Sequence, residues 1–138
     1  MRVILDTNIL LSALIRRDSV PGRILEAWFD DHFVLLTHAL QLEELRTVTR
    51  RPQIRPLIRP AEAGRLVNQL RADAELVAEL PHTSRSDDPA DDFLLAMCDG
   101  GFADYLVTGD KAGLLNLGTH HDTGIMTARA FLDVITGK

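Results

Sequence analysis

The feature that most constrains this chain is its opening stretch, MRVILDTNILLSA, residues 1–13. Val3, Ile4 and Leu5 form an apolar run rich in β-branched residues, and it stops at Asp6. A continuous run of this kind suits a strand buried on both faces, as inside a parallel sheet. Asp6 then falls at the carboxyl end of that strand, the edge where open α/β sheets place their ligand sites. Thr7 and Asn8 follow as turn and cap types, and Ile9, Leu10, Ala13 and Leu14 resume at helical spacing. Asp is also a favoured helix cap, so Asp6 alone reads equally as a cap or as a site carboxylate.

The rest of the chain adds weight to the second reading. Tyr105-Leu106-Val107 is another buried-strand signature, followed by Thr108-Gly109-Asp110. Between the two lie helical stretches that carry acids. In the stretch 38–50, Glu44 shares a face with Leu40 and Val48, four residues either way, which predicts that it points towards the core side. Glu43 shares its face with Ala39, Arg46 and Thr47, a more solvated set. A helix opening at Pro89 and ending at Gly100-Gly101 carries Asp91 on the face of Leu94, Leu95 and Cys98. Asp92 lines up instead with Leu95, Ala96 and Asp99, and either acid also suits the positive end of the helix dipole.

Strand, helix, strand and helix alternate along the 138 residues, which predicts one α/β domain over 1–138 with a mainly parallel sheet. Thr37 is the expected cap of the helix that carries Glu44. The loop 118–124 contains His120 and His121, a pair expected at the surface. Hydrophobic residues make up 46% of the chain and charged residues 25%, ordinary for a globular protein. No apolar run reaches the length of a membrane span, and Asp6 and Asn8 interrupt what would be a signal peptide. A single cysteine, Cys98, excludes an internal disulfide and a cysteine-rich zinc site. These features predict a soluble cytoplasmic protein.

The formal charge of −5 argues against a general nucleic-acid coat, but its distribution is uneven. Seven arginines between Arg46 and Arg71 face a single acid, Glu62, whereas acids concentrate in 87–92 and at strand ends. Such a division suits a protein that holds phosphates with one region and metal ions with the other. Asp6, Glu44, Asp91 and Asp110 gathered in one cleft would repel and need a cation or a raised pKa. An all-oxygen ligand set points to Mg²⁺ or Mn²⁺.

LDTNILLSAL at the start, EEL within LQLEELRTVTRRPQIR, DPADDFLLAMCDGG, and ADYLVTGDKAGLL together resemble the PIN domain. The arginine- and proline-rich element after the second of these resembles its subgroup of bacterial toxins of toxin–antitoxin pairs, VapC-like ribonucleases. The resemblance covers Met1 to about Phe131. It implies a three-layer α/β/α sandwich with a mainly parallel central sheet, carrying a Mg²⁺- or Mn²⁺-dependent ribonuclease site. The family's four acids fall on Asp6, Glu44, Asp91 and Asp110, with Asn8 and Thr108 as polar support and Asp92 the alternative to Asp91. It further implies an RNA substrate, a small cognate antitoxin protein and a homodimer. Arg46, Arg50, Arg51 and Arg55 are candidates to guide RNA phosphates.

A haloacid-dehalogenase-type phosphatase also begins with an Asp after its first strand, but needs a second where this chain has Asn8. A phosphoreceiver domain would carry an acceptor Asp in mid-chain, and the strand candidate 33–37 ends without one. The remaining alternative is a catalytically silent PIN-like module that binds RNA or protein.

Overall fold

A computed structural model describes residues 1–109 and 113–138. The chain runs β1 (Arg2–Leu5), α1 (Thr7–Ile15), α2 (Val20–Phe29), β2 (Val34–Thr37), α3 (Ala39–Thr49), α4 (Pro60–Asp73) and β3 (Glu75–Leu76). It continues through α5 (Pro89–Gly101), β4 (Tyr105–Val107), α6 (Leu114–Leu117), β5 (Thr119–His120), β6 (Thr123–Met126) and α7 (Ala128–Thr136). The strands form one sheet in the order β3-β2-β1-β4-β6-β5, parallel throughout except for the β5–β6 hairpin at one edge.

Strand alternation sorts the apolar residues into two cores. Val3, Leu5, Leu35 and Val107 point to one side of the sheet, where α1, α2, α4 and α7 close over them with Leu10, Leu25, Leu70 and Phe131. Ile4, Leu36, Leu106 and Ile125 point to the other, beneath Leu94, Leu95, Met97 and Cys98 of α5. Helices on both faces of a mainly parallel sheet make the three-layer α/β/α sandwich. Val3, Ile4 and Leu5 are essentially inaccessible, as expected of a strand covered on both faces. Burial also pushes the Cys98 thiol up to about 12, so it stays protonated and inert at neutral pH.

Several local expectations are corrected. Thr37 does not cap α3; His38 does, its Nδ1 accepting from the Leu40 amide at 3.0 Å. The Thr37 hydroxyl instead donates to Gln41 Oε1 (2.7 Å), and Gln41 Nε2 donates to the Leu5 carbonyl (2.8 Å), all buried. This chain of bonds ties the start of α3 to the last residue of β1. Gly100 and Gly101 are the last residues of α5, where the sequence placed its end, and Phe102 takes the left-handed terminal position at φ 53°. The two glycines are required by close packing: a Cβ would sit 2.3 Å from the Glu79 carbonyl at Gly100 and 2.8 Å from Leu36 Cδ1 at Gly101. Of α7, the face buried is Phe131 and Leu132, while Ala130 and Val134 are exposed.

Candidate active site

After β1 the chain runs first to β2 on one side and only later to β4 on the other, so the strand order reverses beside β1. Crevices in open α/β sheets form at the carboxyl end of such a reversal. Asp6 and Thr108 are the residues that follow β1 and β4 there. The Asp6 amide donates to the Val107 carbonyl (2.9 Å), and the Thr108 amide donates to the Met126 carbonyl (3.0 Å). The Thr108 hydroxyl, fully buried, donates to Asp6 Oδ2 at 2.8 Å. Asp6 also caps α1, with Oδ1 accepting from the Asn8 amide at the long distance of 3.5 Å. Cap and cleft carboxylate are therefore the same side chain.

A cleft of about 610 Å³ opens over this edge, lined by Asp6, Glu44 and Asp91 together with Asn8, Arg51 and Asp88. Three elements deliver the three expected acids: the turn after β1, the middle of α3 and the first turn of α5. Glu44 is exposed, and so is Leu40 on the same face, which corrects the expected core-facing direction. The core face of α3 is Gln41, Leu42, Leu45 and Thr49, and the stripe of Leu40, Glu44 and Val48 borders clefts instead. Glu43 is exposed outside the cleft lining.

The adjacent pair Asp91 and Asp92 divide their tasks. Asp91 is buried at 8% exposure, lines the cleft, and lies 3.4 Å from the Ser86 hydroxyl that donates to it. Asp92 turns to the preceding loop, where Oδ1 accepts from the amides of Arg85 (2.9 Å) and Ser86 (2.8 Å). Asp88, not singled out from sequence, caps α5 by accepting from the Ala90 amide at 2.9 Å and borders the same cleft. The signal for it was present, since Asp88-Pro89 is a capping residue followed by proline at the first helical position. Asp110 lies outside the described residues.

The donor set is chemically suited to a hard divalent cation. Three carboxylates from separate elements share one opening, and oxygen ligands are those that Mg²⁺ and Mn²⁺ prefer. At Gly109 space for a Cβ is open among the described residues, so its backbone is not pressed by a neighbour.

A second group of ligand-type side chains occurs elsewhere. Asp99 Oδ2 meets His120 Nε2 and Asp99 Oδ1 meets His121 Nδ1, both at 2.9 Å. His120 is buried at 2% exposure, which corrects its expected surface position. Arg85 Nη1 approaches His120 Nδ1 at 2.9 Å and also donates to the Thr119 carbonyl at 3.1 Å. A guanidinium only donates, so Nδ1 must accept and Nε2 must carry the proton given to Asp99. A metal-bound histidine needs the reverse, a proton on the nitrogen away from the metal and an acceptor facing it. The group is thus a polar clamp joining α5, β5 and the loop at Arg85. Burial pushes the Asp99 carboxyl up, but the hydrogen bonds from His120 and then His121 outweigh it and hold it below its ordinary range.

The family model of the PIN domain matches residues 2–112. The chain belongs to the PIN domain family, whose members are commonly metal-dependent nucleases. It is similar to the uncharacterized protein MJ1680 of Methanocaldococcus jannaschii, at 34% identity over 55 residues. That match covers 40% of this chain and 36% of the archaeal protein, so the chain spans about a third of that relative. No solved structure matches the chain. Among the described residues, no helix is long and apolar enough to cross a membrane.

Proposed function

We propose that this chain, as a single PIN domain over 1–138, is a Mg²⁺- or Mn²⁺-dependent endoribonuclease that hydrolyses RNA phosphodiester bonds. The observation that carries this reading is the meeting of Asp6, Glu44 and Asp91 in one cleft at the strand-order reversal. Asp110, next but one after Thr108 in sequence, is proposed as the fourth acid. These carboxylates would hold the ion, which when bound supplies charge neutralisation at the phosphate and a more acidic water. Thr108 orients Asp6 by fixing Oδ2, leaving the Oδ1 edge towards Asn8. Asp91 is held at the cleft wall because Asp92 and Asp88 pin the start of α5 to its loop. Arg51 in the same cleft is a phosphate-facing cation and balances part of the acidic field.

The test is cleavage of single-stranded RNA by purified protein with Mn²⁺ or Mg²⁺, with EDTA and with Asp6→Asn. Metal-dependent cutting that Asp6→Asn abolishes is expected; a fully active Asp6→Asn protein refutes the site. Absence of cleavage with RNA binding retained would favour the catalytically silent module.

The arginine- and proline-rich element, resembling that of bacterial toxins, supports a role as the toxin of a type II toxin–antitoxin pair, acting in the cytoplasm as a homodimer. A small antitoxin would cover the acid cleft. Expression in bacteria should arrest growth and co-expression of a neighbouring small gene should relieve it. Unaffected growth at high levels of soluble protein removes the toxin role and leaves the nuclease role standing.

A further inference from the structure

Arg50 and Arg51 are consecutive, yet they line different cavities. Arg51 faces the acid cleft with Glu44 and Val48, at spacings of seven and three residues. Arg50 lines, with Arg46, a different groove of about 500 Å³ between α3, the 50–59 connector and α4. Thr49, Arg55, Arg71 and Asn68 add to its polar lining, and among the described residues no carboxylate lines it. Helix α3 and its C-cap thus give Glu44 and Val48 to the acid cleft and Arg46, Thr49 and Arg50 to the second groove.

Arg2, Arg16 and Arg17 are each paired with a carboxylate, to Glu75, Asp18 and Glu26. Among the described residues Arg46, Arg50, Arg55 and Arg71 have no such partner, and all four are exposed. Four like charges around one concavity repel, and a phosphate relieves that repulsion while matching the fork of each guanidinium.

We propose that this groove is a second phosphate site, which holds the RNA strand at a non-scissile phosphate while the acid cleft holds the scissile one. The assignment of RNA rests on the nuclease reading. A helix with its side chains is about 10–12 Å across, roughly three stacked nucleotide steps of about 3.4 Å. The two sites together therefore define a minimum substrate length, and oligonucleotides too short to cross α3 occupy one site only.

The test uses the full chain and labelled single-stranded RNA, a 12-mer and a trinucleotide, with binding followed by anisotropy in EDTA across a salt series. The probe variant is Arg46→Gln/Arg50→Gln/Arg71→Gln, and the corresponding triple lysine variant serves as the charge-preserving control. The glutamine variant should lose at least tenfold of the preference for the 12-mer, and its salt slope should fall by about 0.7 for each phosphate released. The lysine variant should keep most of that slope, which separates lost charge from a damaged fold. A 12-mer affinity and slope equal to wild type in the glutamine variant overturn the proposal. So does a poly-glutamate chain that binds the groove as tightly as RNA, since the ligand is then an acidic protein segment. Because binding is read without metal, a wild-type protein that never cleaves refutes the nuclease reading alone, and a lost salt slope still upholds the phosphate site.

Discussion

Thr108 Oγ1 donates to Asp6 Oδ2 across 2.8 Å, joining residues 102 positions apart in sequence at the tips of two neighbouring parallel strands. The bond turns a helix-capping aspartate into an oriented one. Thr108→Val removes the hydroxyl with little change of shape and takes away the bond that fixes Asp6 Oδ2. Expected are a loss of about 1 kcal/mol of stability and a fall of tenfold or more in kcat for RNA cleavage, with KM little changed. Urea unfolding and steady-state cleavage measure the two; an unaltered kcat means that Asp6 is positioned without the Thr108 bond.

Asp91 and Asp92 should separate cleanly by substitution. Asp91→Asn should abolish cleavage and leave the melting temperature near or above wild type, because it replaces a buried charge by a neutral amide of the same shape. Asp92→Ala should cost about 1 kcal/mol by releasing the Arg85 and Ser86 amides, with the chemistry reduced only indirectly. Cleavage assays beside thermal melts decide it, and loss of activity confined to the Asp92 variant would exchange the two roles.

Metal binding should be visible without any substrate. An ion that binds only the folded chain stabilises it by about 2.7 kcal/mol at a hundred times Kd. Mn²⁺ should raise the melting temperature of the wild type and have little effect on Asp6→Asn, with EDTA restoring the lower value. A wild-type melt indifferent to Mg²⁺ and Mn²⁺ would mean that these acids serve as caps.

The Asp99 clamp sets a pH dependence of known sign. Its carboxyl titrates below the ordinary range in the folded chain, so the unfolded chain takes up its proton first as pH falls. The contribution is complete above the ordinary value of about 3.9 and disappears below it. Asp99→Asn should therefore melt below wild type at pH 6, and the gap should narrow as pH falls beneath about 4. A gap that is constant with pH would assign the loss to packing.

Glycines of the same type should respond oppositely. Gly100→Ala places a methyl against the Glu79 carbonyl and should destabilise by about 1–3 kcal/mol. Gly64, inside α4 with open space at its Cβ, should gain about 0.5–1 kcal/mol as alanine. Denaturant midpoints report both, and similar signs for the two would show that helix propensity governs each position.

What the chain's sequence determined by itself is what depends on neighbours a few residues away. The run Val3–Leu5 ending at Asp6 and its counterpart at Tyr105–Val107 set two buried parallel strands, because unbroken apolar character demands cover on both faces. Pro89 marked a helix start because its missing N–H and restricted φ suit the first turn. Facing was legible only where burial and periodicity coincide. For Glu44 they do not, because Leu40 borders an open cleft, and an apolar neighbour four residues away no longer signals the core. Tertiary structure alone decided the partners over long separations: Thr108 on Asp6, Gln41 on the Leu5 carbonyl, His120 on Asp99. It alone also placed Arg50 and Arg51 in the linings of different cavities. Such pairings depend on which strands lie side by side and on where a helix comes to rest, and sheet order is a property of the whole folded chain.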